Sequence, residues 1–238
     1  MNYPIYIFFG LAPSVIWLLF YLRKDSHPES NGMILKIFFW GMLAAVPVAL
    51  LELGFAEALG ALKFAPLLTQ IIYVFLGIAL IEEGFKYFVV RKKALRHHEF
   101  DEPVDITLYM IIAALGFAAS ENLLILFPSS YPFQFMEIFL TSGFRFVGAT
   151  FLHALCSGVL GYFLAISFCE DKRKLRIFGF ILVIALHGLY DFSIIRLEGN
   201  ARLIAPVIIL MILAGFLSFT FKELKKLKSV CHLRSKNI

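Results

Sequence analysis

Long apolar stretches constrain this chain more than any other feature of its sequence. A helix needs about 20 consecutive, mostly apolar residues to cross the hydrocarbon core of a bilayer. The chain is 60% hydrophobic and 16% charged, whereas a soluble domain is about 25% charged. The sequence therefore predicts an all-α fold, a polytopic membrane helix bundle of about seven transmembrane helices. The predicted spans are 3–22, 33–55, 65–90, 104–127, 145–168, 177–195 and 203–221.

Shorter features complete the predicted organisation. Residues 133–143 are expected to form a short interfacial or re-entrant segment before the fifth span. Residues 1–221 are expected to make one transmembrane domain, and residues 222–238 a basic tail. Small residues recur in the fourth and fifth spans. Because small residues let helix backbones approach closely, these two spans are expected to lie at the centre of the bundle.

Basic residues are distributed unevenly between the loops. They cluster after the first, third, fifth and seventh spans and are sparse on the opposite side. The positive-inside rule therefore predicts an N-terminus outside the cell and a C-terminus in the cytosol. The net charge of +5 then follows from topology, and the basic tail is expected to contact anionic lipid and no nucleic acid.

The third span carries charge where charge is costly. Glu82, Glu83 and Lys86 lie inside its apolar run, and one charged side chain at the centre of a membrane helix costs about 2.5–3.5 kcal/mol. Glu82 and Lys86 are four residues apart and face the same way. An ion pair with Lys86 would explain one glutamate but not both, so the other carboxylate requires a further reason.

Histidines and more carboxylates lie in three other spans. The fourth span contains Glu121 and Asn122, the fifth contains His153, and the sixth contains His187 and Asp191. The spacing of His187 and Asp191 puts the imidazole and the carboxylate on one helix face, where an acceptor can orient the ring. Taken singly, each of these groups can be explained as a satisfied hydrogen-bonding group between helices.

The rise of an α-helix gives an expected depth for each group. Glu82 lies about 14 Å, and His187 about 16 Å, from the basic end of its own span. Both are therefore near the middle of a hydrocarbon core about 30 Å thick. His153 and Glu121 come out roughly 24–27 Å from the cytosolic charges, nearer the outer face. Tilt or a break in the fifth span could move these two groups. A meeting of Glu82 with His187 is accordingly better supported than one that involves His153.

Together these groups indicate a water-containing site within the membrane. Glutamate and histidine suit the activation of water, either as general bases or through a bound metal. The same groups could instead form the relay of a proton-coupled transporter or the hydrogen-bond network of a non-catalytic scaffold. Transporters commonly contain internal repeats, and the sequence shows no second copy of the Glu-Glu or His motifs.

Four motifs occur along the chain in a fixed order, namely Glu82-Glu83-x-x-Lys86, Phe117-Ala118-x-x-Glu121-Asn122, His153-Ala154 and His187-Gly188-x-Tyr190-Asp191-Phe192. Together they resemble the PrsW family of bacterial intramembrane proteases. The wider group that includes the CAAX prenyl proteases and bacterial immunity membrane proteins is similar, but there an Arg follows the Glu pair and a Phe precedes the first His by four. Here Lys86 stands near the place of the Arg, and Ala149 replaces the Phe.

The resemblance implies an endopeptidase that cleaves membrane-anchored proteins. The expected substrate is a single-span membrane protein of the anti-sigma-factor type, and the expected location is the bacterial inner membrane. Glu82 or Glu83, with His153, would activate water, and the first glutamate is the expected base. His187 and Asp191 would polarise the carbonyl or support the oxyanion. Lys86, Glu121 and Asn122 would have supporting roles, and that of Glu121 is open.

The sequence leaves two alternatives open for the cofactor, a bound zinc ion or none. Two histidines and a carboxylate make an acceptable zinc set, and a metal site would draw on Glu83, His153 and His187. The histidines come from different spans, with no H-E-x-x-H helix to hold them. A site without metal, in which glutamate and histidine act as general bases, is the other alternative.

Overall fold

The computed structural model describes residues 3–24, 28–95, 97, 100, 102–127 and 134–227. These residues form α-helices and no strands, so the predicted all-α class is confirmed. The helices are α1 (Tyr3–Leu22), α2 (Asn31–Ala61), α3 (Pro66–Ile72), α4 (Leu80–Lys93), α5 (Pro103–Leu126), α6 (Phe135–Val147), α7 (Ala149–Glu170), α8 (Arg173–Arg196) and α9 (Ala201–Leu227).

Within the described part of the chain, seven helical segments are long and apolar enough to cross a membrane, as predicted. The third crossing consists of α3 and α4 with a π-helical segment, Tyr73–Ala79, between them, and the fifth is made of α6 and α7. Large apolar side chains such as Leu53, Leu203 and Met211 are exposed on the outside of the bundle, where lipid would cover them. The chain is therefore a multi-pass membrane protein.

Helix α5 is the central helix of the bundle. Its residues from Pro103 to Ala119 are all buried, and it packs against α1, α2 and α7. The closest approach joins α5 to α2, because a Cβ atom on Gly116 would lie 2.0 Å from the Phe38 carbonyl oxygen. Reciprocally, a Cβ atom on Gly41 would lie 2.2 Å from the Ala113 carbonyl oxygen. The predicted central position of the fourth and fifth spans is confirmed, since α7 is also mostly buried.

Two irregularities interrupt the long helices next to polar residues. In the π-helical segment Tyr73–Ala79 the backbone hydrogen bonds join residues five apart, and the Leu80 N–H accordingly donates to the Phe75 carbonyl oxygen. Glu82 and Glu83 lie in the first turn of α4, which follows. At Gly148, α6 ends and α7 begins, and a Cβ atom there would lie 2.6 Å from the Tyr190 hydroxyl oxygen. The same Cβ atom would lie 2.8 Å from the Phe144 carbonyl oxygen, so a side chain at this break would force a neighbouring group to shift.

The predicted short segment and tail are only partly described. Residues 134–143 of the segment belong to the cap and body of α6, residue 133 lies outside the described residues, and the interfacial position stays a prediction. Helix α9 continues through the start of the predicted tail as far as Leu227. Residues 228–238 lie outside the described residues, so the domain boundary at residue 221 also stays a prediction.

Candidate functional site

The Lys86 ammonium lies at the centre of the polar cluster. Its Nζ is 2.9 Å from Glu82 Oε2 and 2.7 Å from Glu83 Oε1, both on α4. It is also 2.8 Å from His153 Nδ1 on α7 and 4.7 Å from the centre of the Phe117 ring. All of these polar side chains are buried. Lys86 thus contacts both glutamates, whereas the sequence argument gave it only one.

Glu83 uses both carboxylate oxygens in contacts within the protein. Its Oε1 accepts from Lys86 and lies 3.0 Å from His187 Nδ1. Its Oε2 accepts a hydrogen bond of 3.1 Å from the Ser157 hydroxyl. The side chain has no exposed surface. Glu83 therefore joins α4 to α7 and α8 at the middle of the site.

Glu82 lies between the two imidazole rings. Its Oε2 is 3.5 Å from His153 Nδ1 and 3.9 Å from His187 Nε2. The centroids of the two rings are 5.3 Å apart. Both distances from Glu82 Oε2 to the histidine nitrogens are longer than ordinary hydrogen bonds, whereas its contact with Lys86 is a hydrogen bond of 2.9 Å. The oxygen thus faces both histidines and has only one short contact.

The outer nitrogen of His153 is held by a second charged pair. His153 Nε2 lies 2.9 Å from Glu121 Oε2 on α5, and the same oxygen lies 2.8 Å from Arg145 Nη2 on α6. Glu121, whose role the sequence left open, therefore orients the ring of His153. This contact leaves His153 Nδ1 facing Lys86 and Glu82.

His187 is held between two carboxylates. Glu83 contacts its Nδ1, and Asp191 Oδ2 lies 3.4 Å from its Nε2 one helical turn further along α8. The predicted proximity of His187 and Asp191 on one face is therefore present, at a distance longer than a short hydrogen bond. Asp191 is more accessible than His187, since 23% of its side chain is exposed against 2%.

Asn122 joins the helices that surround the cluster. Its amide nitrogen donates to the Gly10 carbonyl oxygen at 3.2 Å and to the Thr150 hydroxyl at 3.1 Å. Its amide oxygen accepts a hydrogen bond from Arg145 Nε. Because these partners lie on α1, α6 and α7, Asn122 fixes Arg145 beside Glu121. The supporting role that the sequence predicts for Asn122 stays a prediction.

The expected difference in depth between the groups is wrong. His153 and Glu121 were expected nearer the outer face than Glu82, but His153 contacts Glu82 and Lys86 directly. The expectation measured each depth from the charged end of its own helix. The charged ends of the helices do not lie in one plane. Glu82, about 14 Å from its helix end, and His153, about 24–27 Å from its own, therefore meet at one level.

Some site residues were missed from the sequence. Ser157 and Thr150 are buried hydroxyls that bond to Glu83 and Asn122, and such residues give no signal in an apolar helix. Arg145 was not assigned a partner. Glu52 on α2 was also missed, although it is a carboxylate in the apolar run Leu50-Leu51-Glu52-Leu53. One of its oxygens is buried with no hydrogen-bond partner among the described residues.

Four side chains of the cluster have the composition of a metal site. Glu82, Glu83, His153 and His187 each offer one ligand atom, and these atoms all lie within 4.8 Å of one another. Carboxylate oxygens and imidazole nitrogens are common zinc ligands. The Lys86 ammonium already contacts three of the four. Three of the four donors therefore already converge on one positive charge, which is what a metal ion also requires.

Comparison with known proteins gives consistent matches over most of the chain. Residues 29–217 match the family described as PrsW family intramembrane metalloprotease. Protease PrsW of Geobacillus kaustophilus (strain HTA426) is 33% identical over 79% of this chain and 79% of its own length. Protease PrsW of Bacillus subtilis (strain 168) is 27% identical over 93% of this chain and 94% of its own. No solved structure gives a significant match.

Proposed function

The chain belongs to the PrsW family of intramembrane metalloproteases, and we propose that it cleaves a single-span membrane protein with water activated at the Glu82–His153–His187 cluster. That it is a membrane peptidase follows from family membership and from relatives named Protease PrsW. One observation carries the assignment of the site, namely that four buried donor side chains from three helices converge within 4.8 Å. A proton-coupled transporter is not favoured, because the matching family and relatives are proteases.

The contacts of the two glutamates support different roles. Glu83 has both oxygens engaged with Lys86, His187 and Ser157, so it positions neighbouring groups. Glu82 has a carboxylate oxygen that faces both imidazoles, so it is the better candidate for the base that removes a proton from water. In this scheme the resulting hydroxide attacks the peptide carbonyl carbon, and Glu82 returns the proton to the leaving amide nitrogen.

The histidines are oriented by partners on their far sides. Glu121 and Arg145 fix the ring of His153 so that Nδ1 points toward Glu82. A hydrogen bond to one ring nitrogen sets the direction of the other. We assign His153 to the handling of the water together with Glu82. His187, between Glu83 and Asp191, is assigned to the substrate carbonyl and the oxyanion that forms from it.

The cluster fits a catalytic metal ion by its donor chemistry. Glu83, His153 and His187 would hold the ion, in agreement with the set inferred from the sequence. When bound there, zinc would act as a Lewis acid on the scissile carbonyl and on water. The Lys86 ammonium contacts Glu83 and His153 at 2.7 and 2.8 Å, so the ion and the ammonium compete for those two side chains.

The metal assignment predicts a defined stoichiometry. The purified protein is expected to contain about one zinc ion per chain, and His187→Ala is expected to weaken zinc binding more than about 100-fold, because loss of even an outer partner costs 10–100-fold. Elemental analysis would measure the zinc content per chain, and a competition titration with a chromogenic chelator would measure the zinc affinity of the wild type and of His187→Ala. The matched control is His97→Ala, outside the four-residue cluster. Fully active protein without bound metal would contradict the assignment and favour the glutamate–histidine alternative.

The substrate and the location are inferred from the family resemblance and the charge distribution. We propose that the substrate is an anti-sigma-factor-type protein with one membrane span. We place the chain in the bacterial inner membrane, with the N-terminus outside and the C-terminus in the cytosol, because the basic residues cluster in alternate loops. Residues 1–221 would form the protease domain and residues 222–238 a cytosolic tail.

The proposed function is tested by reconstitution into liposomes with a single-span anti-sigma factor. The wild-type protein is expected to release a fragment cut within or beside the membrane span, detected by mass spectrometry, and His153→Ala is expected to release none. A pH-sensitive dye inside the same liposomes reports proton flux. Proton flux without cleavage would reject the protease assignment of this site and favour the transporter alternative.

A further inference from the structure

A cavity separate from the carboxylate–histidine cluster lies between α1, α7 and α9. Its volume is about 370 Å³, within the range of sites that bind small molecules. Aromatic side chains form much of its wall, including Trp17, Phe151 and Phe221. Trp17 stacks on Phe151 with ring centroids 4.1 Å apart. The wall is therefore apolar and rigidly packed.

Two lysines line the same cavity. Lys24 follows the end of α1, and Lys222 lies near the end of α9. Neither forms an ion pair with another described residue. Glu223, next to Lys222, pairs instead with Lys226 at 2.6 Å. No described acidic side chain lines the cavity. Among the described residues, the cavity therefore has two positive charges without a carboxylate counter-ion.

The charged and apolar parts of the cavity are separated along the helix axes. Ala214 lines the cavity eight residues before Lys222, which is about 12 Å along α9. Trp17 lies seven residues before Lys24, about 10 Å along the axis by the same rise. Lys24 and Lys222 lie at the ends of membrane-spanning helices, where a lipid headgroup is found. The apolar wall extends from there into the bundle.

We propose that this cavity binds one anionic phospholipid. The phosphate would lie between Lys24 and Lys222, and an acyl chain would run along Trp17, Phe151 and Ala214. Charge complementarity favours an anionic over a zwitterionic lipid, because no carboxylate in the described part of the chain pairs with either lysine. Each lysine near an anionic lipid surface favours binding by roughly fivefold. This site shares no residue with the catalytic cluster and goes beyond the proposed function.

Tryptophan fluorescence can test the proposal directly. The chain has two tryptophans, and Trp40→Phe leaves Trp17 as the only one. Brominated phosphatidylglycerol and brominated phosphatidylcholine would be titrated separately into the detergent-solubilised full-length Trp40→Phe protein. Because brominated chains quench tryptophan on contact, quenching is expected at a roughly 25-fold lower mole fraction of the anionic lipid, which is fivefold for each lysine.

Charge variants separate this site from general attraction to lipid. Introducing Lys24→Gln and Lys222→Gln together into the Trp40→Phe protein is expected to remove its preference for phosphatidylglycerol over phosphatidylcholine. The matched control, Lys92→Gln with Lys226→Gln, removes the same charge from lysines outside the cavity. This control is expected to retain the preference for phosphatidylglycerol. If the double variant does not fold, Lys222→Gln alone should reduce the preference roughly fivefold. Equal quenching by both lipids, or an unchanged preference in the lysine variants, would overturn the proposal.

Discussion

Replacing Glu82 by glutamine is expected to lower the rate of substrate cleavage by about 10²- to 10⁴-fold, the usual contribution of a positioned general base. Glutamine has almost the same shape but cannot accept a proton from water. Its amide oxygen can still accept from Lys86, and Glu83 retains its own contacts with Lys86, His187 and Ser157. The fold is therefore expected to persist, and the loss should appear in the rate of cleavage by reconstituted protein.

The neighbouring variant Glu83→Gln provides the matched comparison. It removes the same charge, but from a carboxylate with no exposed surface that contacts three other side chains. Breaking a buried ion pair on one side typically costs about 3–5 kcal/mol, so a clear fall in thermal stability is expected along with the loss of activity. Glu57 is an exposed carboxylate on α2, and Glu57→Gln should change neither the thermal stability nor the rate of cleavage. If Glu82→Gln cleaves at the wild-type rate while a stably folded Glu83→Gln does not, the two roles are reversed.

Introducing a side chain at Gly116 is expected to have the largest effect on the fold. A Cβ atom there would lie 2.0 Å from the Phe38 carbonyl oxygen and 3.1 Å from the Met42 nitrogen. Both are backbone atoms of α2, so no rotamer change can relieve the contact. Gly116→Leu would push α2 away from the central helix α5 and should destabilise the bundle by more than about 3 kcal/mol, at or beyond the upper end of ordinary overpacking.

The control for Gly116→Leu is Gly54→Leu. Gly54 lies on α2, and a Cβ atom there meets no other atom within 4 Å, so a change within about 0.5 kcal/mol is expected. Thermal unfolding in detergent, followed by tryptophan fluorescence and size-exclusion chromatography, would measure both variants. Similar stabilities of the two variants would show that the close contact of α2 and α5 is not required for the fold.

Much of the fold could be predicted because the membrane restricts what a chain can form. Apolar length predicted the seven crossings, and small residues such as Ala113 and Gly158 indicated the central helices. The π-helical segment could not be predicted, since Tyr73–Ala79 is as apolar as an ordinary helix. The division at Gly148 was also missed, because the close contacts that a side chain there would make with Tyr190 and Phe144 are visible only in the folded structure.

The identity of the polar site residues could be predicted better than their pairing. An ionisable side chain in an apolar run is costly, which identifies Glu82, His153 and His187 without any structure. Their mutual distances depend on how far each helix extends along the bundle, and the sequence does not contain that offset. Glu121 was for this reason placed too far from Glu82, although it contacts the same histidine. Ser157 could not be found, because a serine at a helix packing face is common.

The position of Lys86 on the same helix as both glutamates has a consequence for the biosynthesis of the protein. During translation α4 is made before α7 and α8, so its carboxylates enter the bilayer before either histidine exists. An unpaired charge at the centre of a membrane helix costs about 2.5–3.5 kcal/mol on insertion. Lys86 lies within one turn of Glu82 and Glu83, 2.9 and 2.7 Å from their oxygens. The third span therefore brings a counter-ion for one of its two carboxylates to the translocon, and a single net negative charge is left to be compensated when the later helices arrive.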